Sequence, residues 1–135
     1  DIKTSHFYES FLDRITPPYA RQLYLKMRYG TLPLNNFKCR WSSPSDNTEN
    51  TDKCLFCVDQ VETIHHVFFF CPGYAVPRKK WIVPLCRTLC ITNFHISLRV
   101  LTTDTSELVV FGVSCFLFAL WRIRIKKLVS KLLAS

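Results

Sequence analysis

The sequence predicts a mainly α fold: a small helical domain around a central knuckle of cysteines and histidines, followed by a long C-terminal helix. Three observations predict it. Apolar residues recur at helical spacing between prolines, glycines and capping residues. Three cysteines and two histidines crowd into Cys54–Cys71, "CLFCVDQVETIHHVFFFC". The last stretch, 104–135, reads as one helix without a proline. Hydrophobic residues make up 48% of the 135, with eleven Phe among them, which is enough to fill a core and excludes wholesale disorder.

The elements follow in order. "TSHFYESFLDRITPPY" predicts a short amphipathic helix, with Ser5 as cap and Phe7, Phe11, Leu12 and Ile15 on one side. Pro17 and Pro18 stop it, and Pro18 starts the next helix, which Gly30 ends. "TLPLNNFKCRW" predicts a further short helix beginning at Pro33. Ser42–Asp52 is polar and aperiodic, hence a loop. "ETIHHVFFFC" predicts a helix capped by Thr63, with His66 near its middle and Cys71 just past its end. Tyr74, Trp81, Leu85 and Leu89 then mark an apolar stripe, Pro77 suits a first turn, and Pro84 should kink or break the helix at that point. Asn93 caps a short helix, and Asp104 with Glu107 has capping-box spacing before a helix that runs to about residue 133. These elements divide the chain into an N-terminal helical segment (1–41), a polar loop (42–53), the knuckle with its basic helix (54–90) and the C-terminal helices (91–135).

The formal net charge is +8. Residues 1–53 carry eight basic and six acidic side chains, while 54–103 and 104–135 each carry five and two. The surplus therefore lies mostly after the cysteine cluster. It favours a polyanionic partner, nucleic acid or an acidic membrane surface, over a neutral one. Seven cysteines, an odd count, argue against a secreted disulfide scaffold. The first residues carry no apolar run of a secretory signal, and the chain opens on Asp1, which reads as a piece of a longer polypeptide. The expectation is an intracellular protein, in cytoplasm or nucleus, with metal thiolates and buried free thiols.

Cys54-x2-Cys57 is the spacing with which a tight turn points two sulfurs at one cation. Zinc takes four such ligands in a tetrahedron, and three cysteines with one histidine are a common structural set. His66 and Cys71 complete C-x2-C-x8-H-x4-C, a CCHC zinc knuckle; His65 would give x7 and x5, and spacing alone does not choose between them. With every position filled by protein, no place is left for an activated water, so the expected zinc, one per chain, is structural. A thiol–disulfide enzyme would want its cysteine pair at a helix N-terminus after a buried strand, and "TDKCLFCVDQ" offers neither.

The stretch "CLFCVDQVETIHHVFFFCPGY" resembles the zinc-binding segment near the C-terminus of non-LTR retrotransposon (LINE-type) reverse transcriptase polyproteins. The matching features are Cys54, Cys57, Glu62-Thr63, His66, Cys71-Pro72 and Tyr74; His65 stands where that family often has an acidic residue. Upstream, Arg28, Gly30, Pro33, Leu34 and Asn35 resemble the segment that precedes the knuckle there, and "YAVPRKKW" resembles the basic helix on its C-terminal side. The resemblance covers roughly residues 20–90. It implies that His66 is the ligand, that a polymerase lies upstream in the same polyprotein, and that this region helps to hold template RNA or target DNA. The chain itself lacks the Tyr/Phe-x-Asp-Asp motif of the polymerase, and no enzyme activity is expected of it alone.

The expected phosphate contacts are Arg78, Lys79 and Lys80 beside the knuckle, Arg21, Lys26 and Arg28 before it, and Lys38 and Arg40 between. Trp41 and Tyr74 are candidates for stacking on bases or for core packing. Leu108–Trp121 is fourteen residues without a charge. A span takes about 20, so a buried helix is the preferred reading and a membrane partner is not expected. An interfacial helix anchored by "RIRIKK" and a zinc-stapled appendage that binds no nucleic acid are the alternatives.

Overall fold

Helix α1 spans Pro18–Arg28. The computed structural model describes residues 18–41 and 52–134; the helix expected over residues 5–15 and most of the polar loop, 42–51, lie outside them. Proline opens α1 where a missing N–H costs nothing. Ala20, Leu23, Tyr24 and Met27 are buried at i, i+3, i+4 and i+7, one stripe of the helix. Gly30 ends it at φ +71°. Gly30 N–H donates to the Met27 carbonyl (3.1 Å) and Thr31 N–H to that of Lys26 (2.8 Å), the bond pair of a left-handed helix cap.

Helix α2, Asn35–Trp41, begins two residues later than the sequence suggests. The Leu34 carbonyl takes the first helical bond, from Lys38 N–H (2.9 Å). The free N–H of Asn35 donates to the Glu62 carboxylate (2.6 Å). An antiparallel bridge between Lys53 and Val61 then closes the knuckle loop. No strand forms among the described residues. Helix α3, Ile64–Phe69, is capped by Thr63, whose hydroxyl accepts from His66 N–H (3.1 Å).

The chain is then helical over 72–88, here α4, in four segments of three kinds: a tight turn Pro72–Tyr74, an α-turn Ala75–Pro77, a wide π-turn Arg78–Ile82 and α-helix Val83–Thr88. Pro84 does not break it. The turn before the proline widens instead, so that Val83 N–H reaches the Arg78 carbonyl, five residues back. That relieves the contact between the proline ring and the carbonyl four residues earlier. Cys90 ends α4 at φ +56°. Cys90 N–H donates to Arg87 (3.2 Å) and Ile91 N–H to Cys86 (3.0 Å), the same cap as at Gly30 but built without glycine.

Helix α5 spans Phe94–Thr103 and is capped by Asn93, whose side chain accepts from the N–H groups of His95 and Ile96. Helix α6 spans Glu107–Ala134. Its start differs from a capping box: the Asp104 carboxylate accepts from Ser106 N–H (2.7 Å), and Glu107 is already the first helical residue. The helix packs on α1, α4 and α5 through Val110, Val113, Phe116, Leu117 and Leu120, all buried. Gly112 lets Leu85 of α4 sit against the helix, where a Cβ would come within 2.5 Å of its side chain. By length and composition α6 could cross a membrane, but half of its most apolar window is buried in the fold.

The last buried residue of α6 is Arg124, 2% exposed, and it meets Glu62, 0% exposed. Arg124 Nη1 donates to Glu62 Oε2 (2.5 Å) and to the Tyr74 hydroxyl (3.2 Å). Its guanidinium also lies 5.0 Å over the Trp121 ring. Burial works against the charge on Arg124, but Glu62 and Tyr74 outweigh it and hold the group above its usual range.

This packing predicts two outcomes. Cys90→Gly relieves a left-handed backbone that costs a side-chain-bearing residue about 1–2 kcal/mol; with the entropy of the added glycine counted, it raises stability by about 0.5–1 kcal/mol in urea denaturation. Glu62→Gln leaves the Arg124 charge buried without a counter-charge and costs about 3 kcal/mol in the same assay. Adding Arg124→Met to Glu62→Gln recovers most of that loss.

Candidate metal centre

The knuckle is shaped by its backbone before its sulfurs matter. Cys54 N–H donates to the Gln60 carbonyl (2.7 Å), Gln60 N–H to that of Cys57 (3.1 Å), and Glu62 N–H to that of Asp52 (2.8 Å). This short hairpin turns Cys54 and Cys57 the same way. Phe56 N–H points at the Cys54 sulfur (3.5 Å). On the other side, His66 and Cys71 are tied at the end of α3 by the bond from Cys71 N–H to the His66 carbonyl (2.8 Å).

The two halves bring Cys54, Cys57, His66 and Cys71 together, with their ligand atoms all within 4.8 Å of one another. Cys71 Sγ lies 3.5 Å from Cys54 Sγ and 3.8 Å from Cys57 Sγ, and all three thiols are free. A tetrahedron with metal–sulfur bonds of about 2.3 Å has sulfur–sulfur edges of about 3.8 Å. His66 Nε2 is buried and has no hydrogen-bond partner. An orphaned imidazole nitrogen among three thiols is satisfied by a cation, so the residues fit a metal ion.

The electrostatics agree. Burial lowers the His66 pKa, with Arg78 adding to the effect and Glu62 opposing it, so the ring is neutral and its lone pair free at neutral pH. Burial pushes the Cys71 thiol up to about 12; a hydrogen bond from the Gly73 backbone opposes this, and the neighbouring thiols add to it. Three ionised sulfurs at this spacing therefore need a cation between them. Uptake of a metal must displace their protons.

His65 goes elsewhere. Its ring stacks on His95 (centroids 5.1 Å apart), and it is not part of the four-residue group. Tyr74, a candidate for stacking on bases, is buried, meets Phe56 edge-on at 5.1 Å and accepts the Arg124 bond; it is a core residue. Arg78 stands beside the centre but faces inward. Its Nε donates to the Phe68 carbonyl (2.7 Å), and its Nη2 to those of Val67 (3.0 Å) and Cys71 (2.7 Å). It thereby caps the C-terminal end of α3, where the helix dipole favours a cation. Lys79 and Lys80, next along α4, are exposed, as are Lys26, Arg28 and Lys38. Lys80 lies 5.3 Å over the Trp81 ring, and Arg28 reaches the Thr103 carbonyl (3.4 Å). The side chains of Arg21, Arg40 and Trp41 lie outside the described residues.

Two residues around the centre carried no motif for a ligand. Glu62 receives Asn35 N–H, Leu55 N–H (3.2 Å) and Arg124, and so joins α2, the knuckle and α6. Lys127, farther along α6, lies 5.6 Å over the Phe56 ring inside the knuckle. No protein-family model matches the chain, and no curated protein or solved structure matches it at a significant level.

The centre predicts one metal ion per chain, measured by elemental analysis of the purified protein. His65→Ala retains it, and His66→Ala loses it. The reverse pattern would move the fourth ligand to His65.

Proposed function

We propose that this chain is a zinc-organised nucleic-acid-binding module from the C-terminal region of a non-LTR retrotransposon reverse transcriptase, holding template RNA or target DNA beside the upstream polymerase. The observation that carries the reading is the closed group of Cys54, Cys57, His66 and Cys71 with the exposed Lys79 and Lys80 directly behind it, on a helix that Arg78 fastens to α3. A spatial contact adds support. The two separate stretches that carry the resemblance, Pro33–Asn35 and Glu62–Thr63, touch through the bond from Asn35 N–H to Glu62, and Asn35 Nδ2 also donates to the Lys53 carbonyl (2.7 Å).

Zinc is the metal that three thiolates and one imidazole in a tetrahedron suit best. Bound there it supplies a closed structural centre. The rest is the work of the chain. Three thiolates around a dication leave a net charge near −1, and the Arg78 guanidinium on the Cys71 carbonyl offsets it. Arg78 also fixes α4 to the knuckle, so Lys79 and Lys80 keep their position relative to it. They attract phosphates and release counterions, with Lys26, Arg28 and Lys38 extending the basic surface. The reading assigns no catalysis to this chain, and a thiolate centre supports a reducing, intracellular compartment as its setting.

A second reading, an appendage that binds no nucleic acid, draws on the inward engagement of Arg78 and the burial of Tyr74. Charge reversal separates the two. Lys79→Glu with Lys80→Glu leaves helical content and metal content unchanged under either reading. Under the nucleic-acid reading it weakens binding at low salt at least tenfold and reduces the slope of log affinity against log salt by about 2. Affinity that is absent at low salt, indifferent to salt, or unchanged in the variant leaves the structural appendage standing.

A further inference from the structure

Two ring stacks lie side by side where α5 meets α3. His95 lies flat on His65, with centroids 5.1 Å apart and planes 18° from parallel. Phe94 lies on Phe69, at 5.2 Å and 20°. Phe70 joins the two edge-on, 5.1 Å from His65 and 5.4 Å from Phe94. In each stack the α3 ring is half-buried and the α5 ring is the exposed one. Phe94 is 48% exposed and Phe70 52%. The contact of α3 with α6 does not use these outer rings: it is made by Phe68, which meets Phe116 at 4.9 Å.

We infer that this patch is a stacking platform for unpaired bases, so that the ligand of the module is single-stranded nucleic acid. The inference rests on the nucleic-acid reading above and adds the strandedness of the ligand. Two properties select a base over an apolar protein surface. The rings are already paired face to face, and a base continues such a stack on the open side of Phe94 or His95; every base has a face that can do so, whatever the sequence. Arg99, exposed one helical turn beyond His95 on the same side of α5, supplies a cation for the phosphodiester next to the base. A duplex hides its base faces and gains nothing from the platform. The Tyr74 phenol, buried against Phe56, is not available for this task.

The test uses the whole metal-loaded chain and fluorescently labelled probes of one length: single-stranded RNA, single-stranded DNA and duplex DNA, at low salt. The wild type binds the single strands at least tenfold more tightly than the duplex. Phe94→Leu and His95→Leu keep an apolar side chain and remove the ring; each weakens single-strand binding about fivefold or more and leaves duplex binding unchanged. Ile96→Ala, at an exposed neighbour outside the stacks, changes neither. Equal affinity for single strand and duplex overturns the platform while leaving the phosphate reading intact. So does a loss that falls equally on all probes, which marks a structural effect, and so does a dimer in sedimentation that Phe94→Leu dissolves. Absence of binding to every probe overturns both readings. Comparison of the two single strands reports whether the 2′-hydroxyl is read.

Discussion

The contact on which the arrangement depends is the buried pair of Glu62 and Arg124. One carboxylate receives the first N–H of α2, a backbone N–H of the knuckle and the guanidinium of α6. Arg124 itself lies 62 residues from Glu62 along the chain. A charge with no exposed surface is tolerated only where its partner and its remaining hydrogen bonds are in place. The pair therefore acts less as a source of stability than as a condition on geometry. Any register of α6 that misplaces Arg124 leaves a buried carboxylate with no counter-charge.

The candidate metal centre and this pair constrain the same few residues from opposite sides. Glu62 lies between Cys57 and His66 in sequence, on the hairpin that turns two of the sulfurs. The knuckle itself buries little apolar surface: Cys54 and Leu55 on one side, Val67, Phe68 and Cys71 on the other. A loop with so small a core holds its shape through its backbone bonds and, when occupied, through its ligands. Fixing the hairpin also fixes Glu62, and through it the N-terminus of α2 and the end of the buried stripe of α6. Helix α4 is tied to the same place by Arg78, whose three bonds go to carbonyls around Cys71.

Much of this was legible in the sequence because it is local. Thr63 and Asn93 cap their helices as their spacing suggests, Gly30 ends α1, and the three cysteines that the spacing singles out come together with His66 as a group that could hold a metal ion. Resemblance rather than spacing points to His66 over His65, and the geometry groups His66 with the cysteines. What escaped depended on contacts between distant residues. Nothing near Arg124 in "RIRIKK" separates it from its exposed neighbours; only the stripe from Val113 to Leu120, extended by one turn, points it inward. Arg78 looks like the first residue of a basic patch, and its inward turn depends on where α3 ends. Of the two outcomes expected at Pro84, a kink or a break, the break does not occur, because the chain has a wider turn as an alternative.

That wider turn has a consequence for what changes in length the chain can absorb. A π-turn carries one residue more than an α-turn, and each helical residue advances the azimuth by about 100°. Removing one residue from Arg78–Ile82 would restore regular pitch and leave Leu85 on its seat against Gly112, because the wide turn holds one extra residue within the same rotation. The segment thus stores one residue of slack between the knuckle and the mesh of α4 with α6. Its length can shrink by one residue without unseating the two helices, whereas Arg78 is held to its identity by its three bonds to the end of α3.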